Sequence, residues 1–203
     1  MSESSHRYFI LNKPYDMVSQ FVSPDDVNVL ADVKFDFPEG THAIGRLDNL
    51  SEGLLILTTN KRVTKLLFQG EVPHKRTYLV RVQYNVSEET LDQLRSGIAL
   101  LGRKSDDYVT QPCEVEVIPP PIGNVHPAFG VLTDYIPYTW LKITLTEGKY
   151  HQIRKMVAAV KHRCVRLIRS SIEDLELGDL QPGCVREVDE ETFFRKLKID
   201  NWK

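Results

Sequence analysis

Tyr8-Phe9-Ile10-Leu11 is an apolar run stopped by Asn12-Lys13-Pro14, and it predicts a first strand, because proline cannot continue a central ladder. Leu54 to Thr58 is a second continuous run, the pattern of a strand buried on both faces. Val63, Leu66 and Leu67 fall at helical spacing, so residues 61–69 are predicted as a short helix closed by Gly70. Tyr78, Val80, Val82 and Tyr84 alternate with Leu79, Arg81 and Gln83 at strand period. Ser87 then caps a helix, with Glu88 and Glu89 in its first turn, Leu91 and Leu94 as its apolar stripe and Gly97 at its end.

Cys113 to Ile118 predicts another strand, followed by Pro119-Pro120-Pro121 and a stretch rich in Gly and Pro. Residues 119–138 form an insert too long for an ordinary connection, hence a functional or a mobile loop. Trp140 to Leu145 resumes strand alternation. After Glu147-Gly148, Ile153, Met156, Val157 and Val160 mark an amphipathic helix whose other face carries His151, Arg154 and Lys155. Val165 to Arg169 follows as a strand. Strands and helices mixed without regular alternation, and no internal repeat, predict an α+β fold. Residues 1–6 read as a disordered tail and 7–203 as one domain.

With 203 residues the chain can bury a proper core, and 41% apolar with 27% charged residues is ordinary for a soluble globular protein. No apolar run approaches the roughly 20 residues of a membrane helix. The start Met-Ser-Glu-Ser-Ser-His is unlike a signal peptide. A cytoplasmic protein with no membrane partner is expected. Cys113, Cys164 and Cys184 are odd in number and far apart, which predicts reduced packing residues and neither a disulfide framework nor a metal site.

The net charge of -2 hides a segregation. From Lys149 to Arg169 the chain carries Lys149, Arg154, Lys155, Lys161, Arg163, Arg166 and Arg169 and no acid, whereas residues 173–191 are strongly acidic. A phosphate backbone responds to local potential, so a nearly neutral protein can still present a nucleic-acid surface. The other reading is a solvated basic face.

His42 to Gly53 places Asp48 in a glycine-bracketed loop that runs into the Leu54 strand, with Arg46 two residues earlier. A reactive acid at the rim of a cleft needs such a mount, a loop on a rigid strand. The same pattern also suits a turn in which Asp48 caps its own backbone.

Three segments occur in order: Gly45-Arg46-Leu47-Asp48, Lys75-Arg76-Thr77-Tyr78-Leu79-Val80, and Glu147-Gly148-Lys149-Tyr150-His151-Gln152-Ile153-Arg154-Lys155-Met156 with Leu167-Ile168-Arg169 beyond. Together they resemble the ribosomal RNA pseudouridine synthases, in the branch that holds the small-subunit synthase with its large-subunit relatives. The resemblance runs from Phe9 to Gly183. Within the branch, Trp140-Leu141-Lys142-Ile143 and a start at the first catalytic-domain strand, with no N-terminal S4 RNA-binding domain, resemble the large-subunit pseudouridine synthases of type E.

The resemblance implies a mixed, largely antiparallel sheet with flanking helices and a central cleft. It also implies isomerisation of a uridine in 23S ribosomal RNA by a monomer, without cofactor or metal. Asp48 would be the nucleophile, Tyr78 the ring that stacks on the everted base, Arg154 the ion-pair partner of Asp48 and Leu167 an apolar contact, with Arg46 in support. Lys75, Arg76, Lys149, His151, Lys155 and Arg169 would bind RNA. Asn49 and Leu50 stand where the family has a charged pair, and Ser51 where threonine is commoner. By local pattern alone, Tyr78 is a half-buried strand residue, Arg154 a solvated helix residue and Leu167 core. A catalytically silent RNA-binding module of the same fold is the alternative, and a hydrolase would need a second carboxylate, for which Glu52 is the nearest candidate.

Overall fold

The apolar runs lie side by side in the computed structural model, which describes residues 6–68, 73–100, 107–121, 135–200 and 202. β1 (Tyr8–Lys13) and β3 (Glu52–Thr58) pair antiparallel from Tyr8↔Thr58 to Lys13↔Gly53, and every residue of both is buried. β1 therefore continues two residues beyond Leu11, up to the proline itself. β2 (His42–Ile44) pairs the end of β3 on its other edge.

The second half of the sheet is built from β4 (Arg76–Gln83), β7 (Glu114–Ile118), β8 (Tyr138–Leu145) and β9 (Cys164–Ile172), all antiparallel to their neighbours within it. β4 stops one residue short of expectation because Tyr84 turns into the left-handed region, φ 68°. β10 (Leu175–Glu176) folds back on β9, and β11 (Val185–Val188) borders β1, giving the order β11-β1-β3-β9-β4-β8-β7. β5 (Ala99–Leu100) and β6 (Tyr108–Val109) form a separate small ladder.

The two halves meet in a short parallel ladder, Glu52↔Ile168 and Gly53↔Arg169. Gly53 has φ +102°, and a Cβ there would lie 2.3 Å from the Arg169 carbonyl oxygen, so the strands come this close only at glycine. Beside the ladder, Arg166 donates from Nε and Nη2 to both Glu52 oxygens at 2.7 Å, a buried bidentate pair.

α1 (Val63–Phe68) and α4 (Glu190–Lys196) cover one face, where Phe193 and Phe194 pack on Tyr8. α2 (Glu88–Ser96) and α3 (Gln152–Ala159) bury Leu91, Leu94, Met156 and Val157 against β4 and β8. Ser87 accepts from Thr90 N as the expected cap. Phe21, Phe35 and Phe37 close a third cluster over the opposite face of β1 and β3. Gly70 and residues 122–134 of the expected insert lie outside the described residues.

Candidate active site

Where the two halves meet, a cleft of about 1100 Å³ opens, lined by the Asp48 loop, Arg76, Tyr78, residues 145–153, Leu167 and Arg169. The loop is held from behind. Lys13, fully buried at the end of β1, donates its ammonium to the carbonyls of Met17, Pro14 and Asn49 at 2.6, 2.8 and 3.2 Å. Burial pushes its pKa down to about 8 against the pull of nearby Glu52, Asp48 and Asp16. Ser19 Oγ both accepts from Leu47 N and donates to Leu47 O, and Leu47 is buried.

The turn itself closes through backbone, Ser51 N donating to Asp48 O at 2.9 Å, which leaves the Asp48 carboxylate facing the cleft. The imidazole of His151 faces that carboxylate, with Nε2 3.5 Å from Oδ1 and each side chain about one-third exposed, 38% and 34%. His151 occupies the left-handed region at the start of α3, φ 53°, and its ring stacks on Tyr150 at 3.9 Å. Non-glycine residues in that conformation cluster at functional sites.

Tyr78 lies where β4 slips against β9: Thr77 pairs Ser171 but Tyr78 pairs Arg169, leaving Ser170 as the extra residue. Such a bulge re-aims the adjoining side chains. The half-buried Tyr78 ring touches the cores of both halves and opens on the cleft that Asp48 faces. A loop carboxylate, a strand tyrosine and a cationic helix start thus meet in one cavity, the convergence that the three sequence segments imply.

A family model described as RNA pseudouridylate synthase matches residues 7–159. The chain belongs to the RNA pseudouridylate synthase family. It is 39% identical over 186 residues to a ribosomal large subunit pseudouridine synthase E of Vibrio parahaemolyticus, covering 91% of this chain and 74% of that protein. It is 32% identical to the ribosomal small subunit pseudouridine synthase A of Escherichia coli K12, over 91% of this chain and 71% of the relative. A crystal structure of a pseudouridylate synthase superposes with a TM-score of 0.75 at 29% identity, over 97% of this chain and 76% of that one. The chain is therefore an isomerase of the pseudouridine synthase class, with the α+β fold expected of it.

In this pseudouridine synthase Arg46, Arg76, Lys149, His151 and Leu167 line the cleft, as expected for residues gathered around Asp48 and Tyr78. Other expectations need correction. Arg154 is out of ion-pair reach of Asp48: its Nη2 donates to Leu50 O at 2.9 Å and Ser51 Oγ at 3.4 Å, behind the loop. Lys75 is tied to Glu114 at 2.7 Å, away from the cleft lining, because its side chain alternates to the other side of β4 from Arg76. Lys155 lies over the Tyr150 ring, 5.4 Å from its centroid, one step outside the lining.

Arg169 does line the cleft, but at 3% exposure it is part of the floor and no open phosphate clamp. Its Nε donates to Leu54 O at 2.8 Å, while Nη2 has no hydrogen-bond partner among the described residues. Glu52, spent on Arg166, cannot serve as a second acid. Cys113 and Cys164 are free thiols whose pKa burial pushes up to about 11, whereas Cys184 is exposed and so not a packing residue. Sequence reasoning missed the Lys13 anchor, whose only signal was a lysine at the end of an apolar strand. Among the described residues no helix is long and apolar enough to cross a membrane.

Proposed function

We propose that this chain converts a uridine of 23S ribosomal RNA to pseudouridine, with Asp48 as nucleophile and the target base everted onto Tyr78. The observation that carries this reading is the shared cavity of Asp48, His151 and Tyr78, large enough for a nucleotide. The relatives' names supply the substrate class: the Vibrio parahaemolyticus protein is named as a synthase of the large ribosomal subunit.

The chemistry is an isomerisation. The N1–C1′ bond of the target uridine breaks, the uracil turns, a C5–C1′ bond forms, and the proton lost from C5 is matched by one gained at N1. No electron acceptor or co-reactant is required. A base within a helix cannot reach Asp48, so it is extruded at a cost of a few kcal/mol. Stacking on Tyr78, worth roughly 1–3 kcal/mol, offsets much of that cost. Arg46, Arg76 and Lys149, on the cleft wall, hold the phosphates on either side.

Incubation with a 23S ribosomal RNA transcript, followed by carbodiimide-blocked primer extension, tests the reading. A new stop that disappears with Asp48→Ala is expected. RNA binding with no stop would make the protein a silent binding module, and a stop that persists in Asp48→Ala would remove the nucleophile.

A further inference from the structure

Tyr150 stands on the cleft lining with Asp48 and Tyr78, and it is 71% exposed. The isomerisation at Asp48 makes no use of it. A single exposed aromatic is ordinary on a protein surface. What sets this one apart is its mount. Gln152, 4% exposed, accepts from Lys149 N at 2.9 Å with Oε1 and donates its own backbone N to Lys149 O at 3.1 Å. Its Nε2 donates to Glu147 Oε1 at 2.6 Å, and the same oxygen accepts from Gln111 N at 2.9 Å. The turn that carries Tyr150 is therefore braced from both ends.

The ring is held as well as the backbone. The His151 imidazole stacks on it, 3.9 Å between centroids and 16° between planes, and that imidazole faces Asp48 at 3.5 Å. The phenol ring thus stands two contacts from the nucleophile at a set spacing, with only two χ angles to fix. The Lys155 ammonium lies 5.4 Å from the ring centroid on a flexible stem, and it holds no carboxylate among the described residues. Phe68, the other exposed ring of the lining, is about half as open at 37% and has the Arg76 guanidinium 5.0 Å from its centroid.

Everting a base leaves a gap in its strand, and the bases beside the gap each lose a stacking partner. Aromatic side chains take up unstacked bases irrespective of sequence, because every base has a π-face. Tyr78 is occupied by the everted base itself, so the base next to it needs a second ring. We propose that Tyr150 is the platform for the nucleotide adjoining the everted uridine, with the Lys155 ammonium on that nucleotide's phosphate. The inference rests on the reading that the substrate is an RNA strand with one base everted into the Asp48 cleft. Since the platform also stacks on His151, a strand seated on Tyr150 holds the imidazole against Asp48.

The test is binding of a 23S ribosomal RNA transcript by the wild type, Tyr150→Ala, Tyr150→Phe, Lys155→Gln and, as an exposed ring outside the cleft lining, Tyr135→Ala. Tyr150→Ala is expected to weaken binding about 5- to 150-fold and to raise KM with kcat retained, while Tyr150→Phe and Tyr135→Ala stay within about twofold of the wild type. Lys155→Gln is expected to lower the slope of log K against log salt by about 0.7–0.9. Oligonucleotides centred on the mapped uridine and abasic at one neighbouring position then identify the base: on the RNA that lacks it, Tyr150→Ala binds as well as the wild type. Wild-type binding by Tyr150→Ala, an equal loss in Tyr135→Ala, or a Tyr150→Ala penalty that survives an abasic nucleotide at either neighbouring position would overturn the platform. An unchanged slope in Lys155→Gln would overturn the phosphate contact. The outcomes separate from those of the reaction: pseudouridine formed with no Tyr150 effect sinks the platform alone, and a Tyr150-dependent affinity, restored by phenylalanine, without pseudouridine sinks the reaction alone.

Discussion

His151 Nε2 stands 3.5 Å from Asp48 Oδ1, and the ring reaches that place from a left-handed backbone at φ 53°. Asparagine tolerates that conformation and removes the imidazole, whereas alanine keeps the strain and loses the contact. His151→Asn is expected to keep the melting temperature of the wild type and to lower kcat about 10- to 100-fold, which corresponds to roughly 1.4–2.7 kcal/mol of transition-state stabilisation. Single-turnover kinetics on the RNA transcript measures it. A kcat equal to wild type would make His151 a spectator of the carboxylate it faces.

Tyr78 offers a ring at the seam of two cores. Tyr78→Ala should weaken target binding about 5- to 150-fold, the equivalent of 1–3 kcal/mol of stacking, while Tyr78→Phe should stay within about twofold of wild-type affinity. Fluorescence of 2-aminopurine placed beside the target uridine reports the eversion directly. If alanine leaves eversion intact, the ring is not the platform.

The Arg166–Glu52 pair is buried on both sides, at 5% and 7% exposure. Glu52→Gln strands a buried guanidinium and should cost about 3–5 kcal/mol in urea denaturation. The double variant Glu52→Leu/Arg166→Met removes both charges and should recover a large part of that loss. Equal losses in the single and double variants would assign the cost to packing rather than to charge.

Lys13 carries a pH signature. Its folded pKa is pushed down by burial to about 8, below the ordinary lysine value of 10.5. Between those values the unfolded chain keeps a proton that the folded chain has released, so stability rises with pH across the window. Above the ordinary thiol value near 9 the opposite occurs at Cys113 and Cys164, whose folded pKa of about 11 makes the unfolded chain the first to lose its proton. A small rise in the urea midpoint from pH 8 to 9, turning to a fall beyond it where two thiols outweigh one lysine, is expected, with a lysine Cε resonance titrating near 8. A midpoint that falls from pH 8 to 9 would contradict the buried ammonium.

The positions of Asp48 and Tyr78 were legible because each sits on its own strongly patterned strand or strand-flanking loop, and pattern locates such elements well. Arg154 was not. The direction of a helical side chain depends on where the helix begins and how it crosses the sheet, and here α3 starts after a left-handed His151 that no periodicity announces. Arg169 reads as one more cation in a basic run, yet alternation along β9 turns it inward. The helix α4 was hidden in an acidic stretch, although Asp189 before Glu190-Glu191 is a capping signal, with Asp189 accepting from Thr192 N. Residues 17–41 have little regular structure, and they are held by tertiary contacts such as Phe9 with Phe35 and Phe37 and Ser19 with Leu47, which no local pattern announces.

The seam between the two halves joins residues 52–53 to 168–169, more than a hundred positions apart in the chain. Contacts that distant carry a loop-closure cost that slows folding, and the apolar cluster of Tyr8, Ile56, Trp140 and Ile168 spans the same seam. β9 pairs with β3 on one side and β4 on the other, so among the described residues it is the one strand that ties the stretch after the Asp48 loop to the stretch that carries Tyr78, and the geometry of the cleft depends on it.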